Sequence, residues 1–381
     1  MRKDLRAFSA LIKELKRESK AKEKKVKPLS QLAQKEQEMI RRIQMDTQRG
    51  NQNNLSRTAA YLDFYKRCPE IQWSFLAHLV SRNAGWNMTD LKGEWLPRLM
   101  SSQERVPFFQ FLERGNWLIF QDAYPQLLIY EESRRRKTDL FYLLPYFHIS
   151  KFMQSVWNYF WKTEDRSILT IGLIINEQNY IEKKVISNPF YQKQVLSSLE
   201  YKLQELLSLN QILFPYYPQS PMHQRQIPSL LGQTVHFFAS LHERISLGKR
   251  LYDLLFLPHF LRGIEQWASE TPHTASRKDY WAHLFNDVKD SLPGEPYQRR
   301  LENCRLIHSR LRLYSPRLNH VWPDVKHSEP ETGDWFRDWK IVHYFLHPPR
   351  QLGDIQDAYC KTLEKLDFVV ATQAALFPPE S

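Results

Sequence analysis

Apolar residues recur every three or four positions along most of the chain, and this periodicity predicts a predominantly helical protein. Ser101 followed by Glu104 is a capping box that begins a helix, which we expect to run through Gly115 with a kink or stop at Pro125. The other predicted helices cover residues 56–66, 69–83, 148–162, 166–186, 189–212, 230–256, 276–290, 296–313, 334–346 and 354–376. The fold class that this pattern predicts is all-α.

Some segments leave the pattern ambiguous. Residues 167–176 are rich in Ile and Leu and also fit a buried strand, although their charged flanks favour a helix. Gly85 is expected to end the helix predicted over residues 69–83. A stretch rich in Pro and Tyr near residues 214–225 is a possible internal boundary. We therefore expect a helical body over residues 51–381, built as one large unit or as two abutting units.

Residues 1–50 have a different composition and form a basic arm. They hold 15 lysines and arginines against 7 aspartates and glutamates, so they carry +8 of the net charge of +12. Leu5, Phe8, Ile12 and Leu15 recur at helical spacing among these charges, which predicts an amphipathic helix. We expect the arm to be helical, partly mobile and able to dock on an anionic surface, whether a membrane face, nucleic acid or an acidic protein.

Cysteine usage and hydropathy bear on the compartment. Cys68, Cys304 and Cys360 share no short spacing, so we expect reduced thiols rather than a disulfide or a zinc site. The longest charge-free stretch, residues 206–224, contains three prolines and does not fit a membrane span. No secretory signal is predicted, because charged residues interrupt the apolar stretch near the N-terminus. These features predict a cytoplasmic protein.

One helix predicted in the body carries a narrow polar stripe on an otherwise apolar surface. His78 and Arg82 are four residues apart and share a face, so a buried setting requires partners for both. Asp90 can return its carboxylate toward either of them, and Arg57 and Tyr61 can face the same region from the preceding helix. The candidate polar site comprises Arg57, His78, Arg82, Asn83 and Asp90.

Two interpretations of this candidate site remain open. In the first, it is a pocket in which His78 acts as an acid or a base and Arg82 holds an anionic group. In the second, it is a structural hydrogen-bond network in which Asn83 and Gly85 end one helix and Thr89 or Asp90 caps the next.

Motifs that define other chemistries are missing from the sequence. Phosphate-binding glycine loops and nucleophile elbows do not occur, which disfavours P-loop enzymes, dinucleotide enzymes and α/β-hydrolases. His343 and His347 have helical spacing, but Pro348 follows at once and no carboxylate completes a ligand set. We predict neither a metal nor a cofactor. The basic run at residues 134–137 can bind phosphate, but a solvated loop between two helices is the simpler interpretation.

Several stretches resemble a known family. Residues 54–61 (Asn-Leu-Ser-Arg-Thr-Ala-Ala-Tyr), 69–73 and 81–91 (Ser-Arg-Asn-Ala-Gly-Trp-Asn-Met-Thr-Asp-Leu) are similar to the YppC-like family of uncharacterised proteins from low-GC Gram-positive bacteria. Residues 248–252 and 273–281 extend the resemblance over most of residues 50–350. It implies a bacterial, cytoplasmic protein and brings no function with it.

Two function hypotheses follow. The first is a non-catalytic interaction protein that docks through its basic arm. The second is an enzyme or a small-ligand binder that uses the candidate polar site. The two are distinguished by whether the five side chains converge on a concave site.

Overall fold

The computed structural model describes residues 2–21, 26–196, 211–218, 227–235, 239–290, 297–330, 333–345 and 355–376, with side chains from Phe8 onward. Helices dominate these residues, as predicted, but short strands are also present, so the all-α prediction is confirmed only as a mostly helical fold. No helix within the described ranges is long and apolar enough to cross a membrane.

The elements follow one another in a simple order. The α-helices are α1 (Arg2–Lys20), α2 (Gln34–Gly50), α3 (Asn54–Arg67), α4 (Gln72–Asp90), α5 (Leu96–Leu99), α6 (Ser102–Arg136), α7 (Lys151–Thr163), α8 (Arg166–Ile181), α9 (Pro189–Tyr191), α10 (Leu241–Leu255), α11 (Pro258–Glu270), α12 (Lys278–Trp281), α13 (Leu318–Val321) and α14 (Gln356–Leu376). Three 3₁₀ segments (Leu29–Gln31, Phe141–Phe147 and Trp339–Phe345) and two π segments (Glu182–Ile186 and Gln192–Leu196) occur in the described ranges. The strands are β1 (Gln211–Tyr216), β2 (Ser229–Thr234), β3 (Phe285–Asn286), β4 (Leu301–Glu302), β5 (Arg305–Leu306) and β6 (Leu313–Tyr314).

The apolar sides of α1 and α2 lie against the rest of the molecule. Leu11 and Leu15 of α1 are buried where that helix packs on α7 and on the Trp339–Phe345 segment. The ammonium of Lys16 lies 5.0 Å from the ring centre of Trp339. From Lys13 onward, the basic side chains of α1 and α2 stand on the outer side, as an amphipathic helix requires. The division of the chain at residue 50 stays a prediction.

Helix α4 lies at the centre of the fold. It pairs with α3 and also contacts α6, α8, α10 and β1. Trp73, Phe75 and Trp86 of α4 are almost fully buried, which explains why this helix is apolar on nearly every side. Burial all round also forces the polar side chains of α4 to find partners inside the protein.

Two predicted helix ends are wrong. Helix α4 continues past Gly85 to Asp90. Gly85 does not form a turn here; its missing side chain makes room for Asn54, since a Cβ at this position would lie 2.3 Å from Oδ1 of Asn54. Helix α6 continues through Pro125 to Arg136, so the basic run at residues 134–137 is its last turn and cap. Buried neighbours such as Phe120 and Leu127 hold the helix on both sides of the proline.

Four predicted helices contain strands instead. The helix predicted over residues 189–212 is helical through Leu196, residues 197–210 lie outside the described ranges, and its last two residues belong to β1. The helix predicted over 230–256 is confirmed as α10 at its end, but it begins as β2, which pairs antiparallel with β1. Residues 276–290 hold only α12 and the strand β3, and residues 297–313 of the segment predicted over 296–313 hold the β4–β5 hairpin and the start of β6. Left-handed backbone at Asn303 and Cys304 (φ 50° and 57°) makes the hairpin turn and is incompatible with a helix. Residues 167–176, in contrast, are helical within α8, as favoured.

The prediction of three reduced thiols is also wrong. Cys304 and Cys360 form a disulfide that joins the β4–β5 turn to α14, across 56 residues of sequence, and Cys68 is free and buried. Sequence spacing could not reveal this bond, because folding brings the two segments together. Disulfides are uncommon in reducing compartments, so the cytoplasmic location stays a prediction that this bond makes testable.

Candidate functional site

Arg57 lies inside the protein in a buried ion pair. Its Nη2 lies 2.5 Å from a carboxylate oxygen of Glu113, and its Nη1 donates to the side-chain oxygen of Asn51 at 3.2 Å. His327 approaches the other oxygen of Glu113 at 3.5 Å. Burial acts to raise the pKa of Glu113, but the positive charges and hydrogen bonds of Arg57 and His327 lower it below its usual value. This group joins α3, α6 and the loop after α13.

His78 and Arg82 bond to each other within α4. Nδ1 of His78 lies 2.8 Å from the carbonyl oxygen of Thr58, and Nε of Arg82 donates to Nε2 of His78 at 3.1 Å. A carbonyl only accepts, so Nδ1 carries the hydrogen and Nε2 is unprotonated. Burial, reinforced by the charge of Arg82, lowers the pKa of His78 well below its ordinary value. His78 is therefore a neutral bridge between two helices rather than an acid poised near neutral pH.

The guanidinium of Arg82 is held by carbonyl oxygens and a ring. Nη2 donates to the carbonyls of Thr271 and Ala268, and the guanidinium carbon lies 4.5 Å from the ring centre of Trp267. Burial lowers the pKa of Arg82 to about 10. No carboxylate among the described residues pairs with it. These contacts attach α4 to α11.

Asn83 and Asp90 each hold a different distant segment. The side-chain amide of Asn83 accepts from the backbone N–H of Leu213 at 2.8 Å and donates to its carbonyl at 2.8 Å, so it clamps β1 against α4. Asp90 pairs with Arg277, with the closest oxygen 2.6 Å from Nη2. The predicted approach of Asp90 to Arg82 or His78 is therefore wrong. Only His78 and Arg82 of the five predicted residues contact each other.

Arg57 also borders a cavity, which lies between α3, α4, α6, α8 and α10 and has a volume of about 140 Å³. An apolar cavity of roughly this volume accommodates a benzene-sized molecule. Tyr61, which the sequence placed on the same side as Arg57, lines this cavity as well. The apolar wall is formed by Leu76, Ala77, Val80, Ile119, Ile174, Ile212, Leu247 and Leu251.

Two hydrogen-bond donors on α3 lie buried at this cavity. Nε of Arg57 and the hydroxyl of Tyr61 have no hydrogen-bond partner among the described residues. A buried donor without a partner typically costs about 1–3 kcal/mol. The two residues are one turn apart on the same helix and line the same cavity, so one hydrogen-bond acceptor of a ligand could approach both donors.

A carboxyl group faces the cavity from α8. Glu177 accepts from Nε1 of Trp73 at 3.2 Å and from the side-chain amide of Gln178 at 2.8 Å. Burial raises the pKa of Glu177 to about 7, with a smaller contribution from the negative charge of Asp122. The described residues contain no cation within ion-pair distance of Glu177. An apolar cavity with a few convergent polar groups and a perturbed carboxyl is typical of a ligand site.

The third charged group at the cavity, Arg244, is already neutralised. Arg244 of α10 donates to Glu182 in a close ion pair and to the side-chain oxygen of Gln178 at 3.0 Å. The sequence analysis missed Glu177 and Arg244. Glu177 is the first charged residue after the apolar run of α8, and this position was the signal that could have drawn attention to it.

A cationic surface lies where α2 meets the end of α6. Arg42 of α2 and Arg135 and Arg136 of α6 all pair with the carboxylate of Glu132. Burial acts to raise the pKa of Glu132, but these arginines lower it to about 2. The surface continues through two further pairs, Arg67–Glu131 and Arg134–Glu70. Arginines outnumber carboxylates across it.

Metal binding finds no support in the part of the chain that the structure describes, where no group of three His, Cys, Asp or Glu side chains could hold an ion.

The structure is thus a mostly helical fold built around the buried helix α4, with a cavity beside it. The chain belongs to the family described as "Protein of unknown function (DUF2515)", whose sequence profile matches residues 49–352. Its relatives include "Uncharacterized protein YppC" of Bacillus subtilis (strain 168), which is 37% identical over 316 residues, or 82% of this chain and 93% of that protein. The family resemblance seen in the sequence is thereby confirmed. No solved structure matches the chain.

Proposed function

We propose that this protein binds a small, largely apolar molecule in the cavity between α3, α4, α6, α8 and α10. The observation that carries the proposal is the pair of buried donors, Nε of Arg57 and the hydroxyl of Tyr61, beside an apolar wall. A ligand oxygen between these donors would remove two unsatisfied hydrogen bonds, while the body of the ligand would bury apolar surface. This proposal keeps the small-ligand hypothesis but places the site at the cavity, which Arg57 lines and His78 and Arg82 do not.

Binding of benzyl alcohol tests this proposal, because it combines a benzene-sized body with one hydroxyl oxygen. We expect it to raise the melting temperature in proportion to the logarithm of its concentration above its Kd. Ala77→Leu adds three carbons to the cavity wall and should abolish that rise. Ala84→Leu makes the same change elsewhere on α4, outside the cavity lining, and should leave binding intact.

The outcomes separate clearly. Loss of binding in the Ala77 variant alone supports the cavity as the site. Equal binding by both variants would locate the alcohol elsewhere, and no binding by wild type would show that the cavity holds water at most. Either result contradicts the proposal.

A second function, docking of the cationic surface on an anionic partner in the cytoplasm, is favoured by one observation. Arg42 from the basic arm and Arg135 and Arg136 from the body meet at Glu132, so the two basic regions form one continuous surface. Arginine pairs well with phosphate because its planar fork matches phosphate oxygens. A membrane with acidic lipids and nucleic acid both present such groups.

Charge neutralisation tests this docking more cleanly than deletion, because Leu11 and Leu15 make the arm part of the core. We expect Arg42→Gln with Arg135→Gln to weaken binding to acidic vesicles or to DNA, with the salt dependence reduced as well. Arg305→Gln with Arg310→Gln removes the same charge from another exposed region and serves as control. Equal binding by the two double variants would exclude this surface.

A further inference from the structure

We infer that the ligand of the cavity carries a protonated amine that pairs with Glu177. This inference rests on the proposed binding function and adds the chemical class of the ligand. It follows from the charges around the cavity, from the hydrogen bonds of Glu177 and from the aromatic rings beside it.

Charge balance at the cavity favours a cation. Arg57 is paired with Glu113 and Arg244 is paired with Glu182, so neither arginine offers an unneutralised charge. Glu177 has no cationic partner among the described residues. When Glu177 is ionised, the cavity therefore carries one uncompensated negative charge in an apolar setting. An anionic ligand would add a second negative charge there, whereas an ammonium group would cancel the first.

The hydrogen bonds of Glu177 leave room for such a group. Trp73 occupies one oxygen and Gln178 occupies the other, each with a single donor. A carboxylate oxygen accepts two hydrogen bonds, so each oxygen retains a free lone pair that an ammonium N–H can use. The indole and amide donors also fix the carboxylate in one orientation, which reduces the entropy that binding must overcome.

Two aromatic rings stand beside this carboxyl. The rings of Tyr61 and Trp73 both line the cavity and meet edge to face, with centroids 5.6 Å apart. The electron-rich face of an aromatic ring attracts a cation, and since Trp73 turns its N–H edge to the carboxylate, an ammonium group meets that face only where it stands out of the indole plane. A carboxylate next to two such rings is suited to an ammonium group on an apolar body. Arg57 Nε and the Tyr61 hydroxyl remain available for an acceptor oxygen at the other end of the ligand.

The test compares three probes that share a benzene ring and differ in charge: benzylamine, benzyl alcohol and benzoate. Affinities for the full-length protein are measured by calorimetry or by ligand-observed NMR. We expect benzylamine to bind about tenfold or more tighter than benzyl alcohol, as a charge-assisted hydrogen bond in an apolar site allows, and benzoate to bind worst. Tighter or equal binding of benzyl alcohol would overturn the amine inference but leave the proposed binding function standing.

Glu177→Gln is the matched variant, since it keeps the shape of the side chain and removes its charge. We expect it to weaken benzylamine binding about tenfold and to leave benzyl alcohol within about twofold. Glu131→Gln removes a partly exposed carboxylate of α6, away from the cavity lining, and should change neither affinity. If the Glu177 variant binds benzylamine as wild type does, the pairing is wrong. If no probe binds to wild type, the proposed function fails together with this inference.

A pH series provides a second readout that needs no variant. The groups that face Glu177 from the packed helices are Tyr61 and Arg57 of α3, Asp122 of α6 and Arg244 of α10. Because burial raises the pKa of Glu177 to about 7, an amine must displace its proton at pH 6 but not at pH 8. Benzylamine affinity should therefore rise over this range. Affinity that falls as the pH rises would contradict the pairing.

Discussion

Removing one partner of the Arg57–Glu113 ion pair should be among the most destabilising single substitutions in this fold. The two side chains are 0% and 3% exposed, and their closest atoms lie 2.5 Å apart. Arg57→Met leaves the carboxylate of Glu113 buried with only His327 at 3.5 Å. Loss of one partner of such a pair typically costs about 3–5 kcal/mol, because the other charge is left unpaired away from water.

Arg67→Met on the same helix is the matched control. Arg67 also pairs with a glutamate of α6, Glu131, but the two side chains are 45% and 32% exposed. Pairs of this kind contribute about 0–1 kcal/mol, since water and salt screen them. Urea unfolding at pH 7 should therefore separate the two variants by several kcal/mol with similar m values.

A double variant and a pH series complete this test. Arg57→Met combined with Glu113→Leu should cost at least about 2 kcal/mol less than the sum of the single changes, because no charge remains buried. Since the pKa of Glu113 is lowered in the folded state, its contribution is present above the ordinary carboxyl pKa and is lost as the pH falls through the folded value. Equal costs for Arg57→Met and Arg67→Met, or strict additivity, would refute the reasoning.

Three further outcomes are expected. Asn83→Ala should destabilise by about 2–4 kcal/mol, measured by urea unfolding, because both backbone groups of Leu213 lose their partner. Reduction of the Cys304–Cys360 bond should lower stability by about 4 kcal/mol, and its detection by mass spectrometry of protein alkylated in the cell would contradict the predicted cytoplasmic location. Burial raises the pKa of Asp122 to about 7, so the contribution of this carboxyl to wild-type stability should fall as the pH rises from about 4 to 7. Asp122→Asn should flatten that fall.

The sequence alone determined the features whose partners lie within one helical turn of each other. The capping box of Ser101 and Glu104 begins α6, since both partners lie within one turn. Helical spacing put His78 and Arg82 on one face of α4, and they bond there, because residues four apart are neighbours on any helix. The same spacing put Arg57 and Tyr61 on one side of α3, where both border the cavity.

The tertiary structure decided the ion pairs, the strand pairing and the cavity, because their partners lie far apart along the chain. Asp90 was expected to return its carboxylate toward Arg82 or His78, but Arg277 pairs with it from 187 residues away. Residues at the start of the helix predicted over 230–256 form a strand because β1 lies beside them, not because of their own preference. Arg57 of α3 and Glu177 of α8 line the same cavity, and no spacing in the sequence predicts that these two residues lie near each other. Periodicity reports which face of an element is apolar, whereas only packing in three dimensions selects what that face meets.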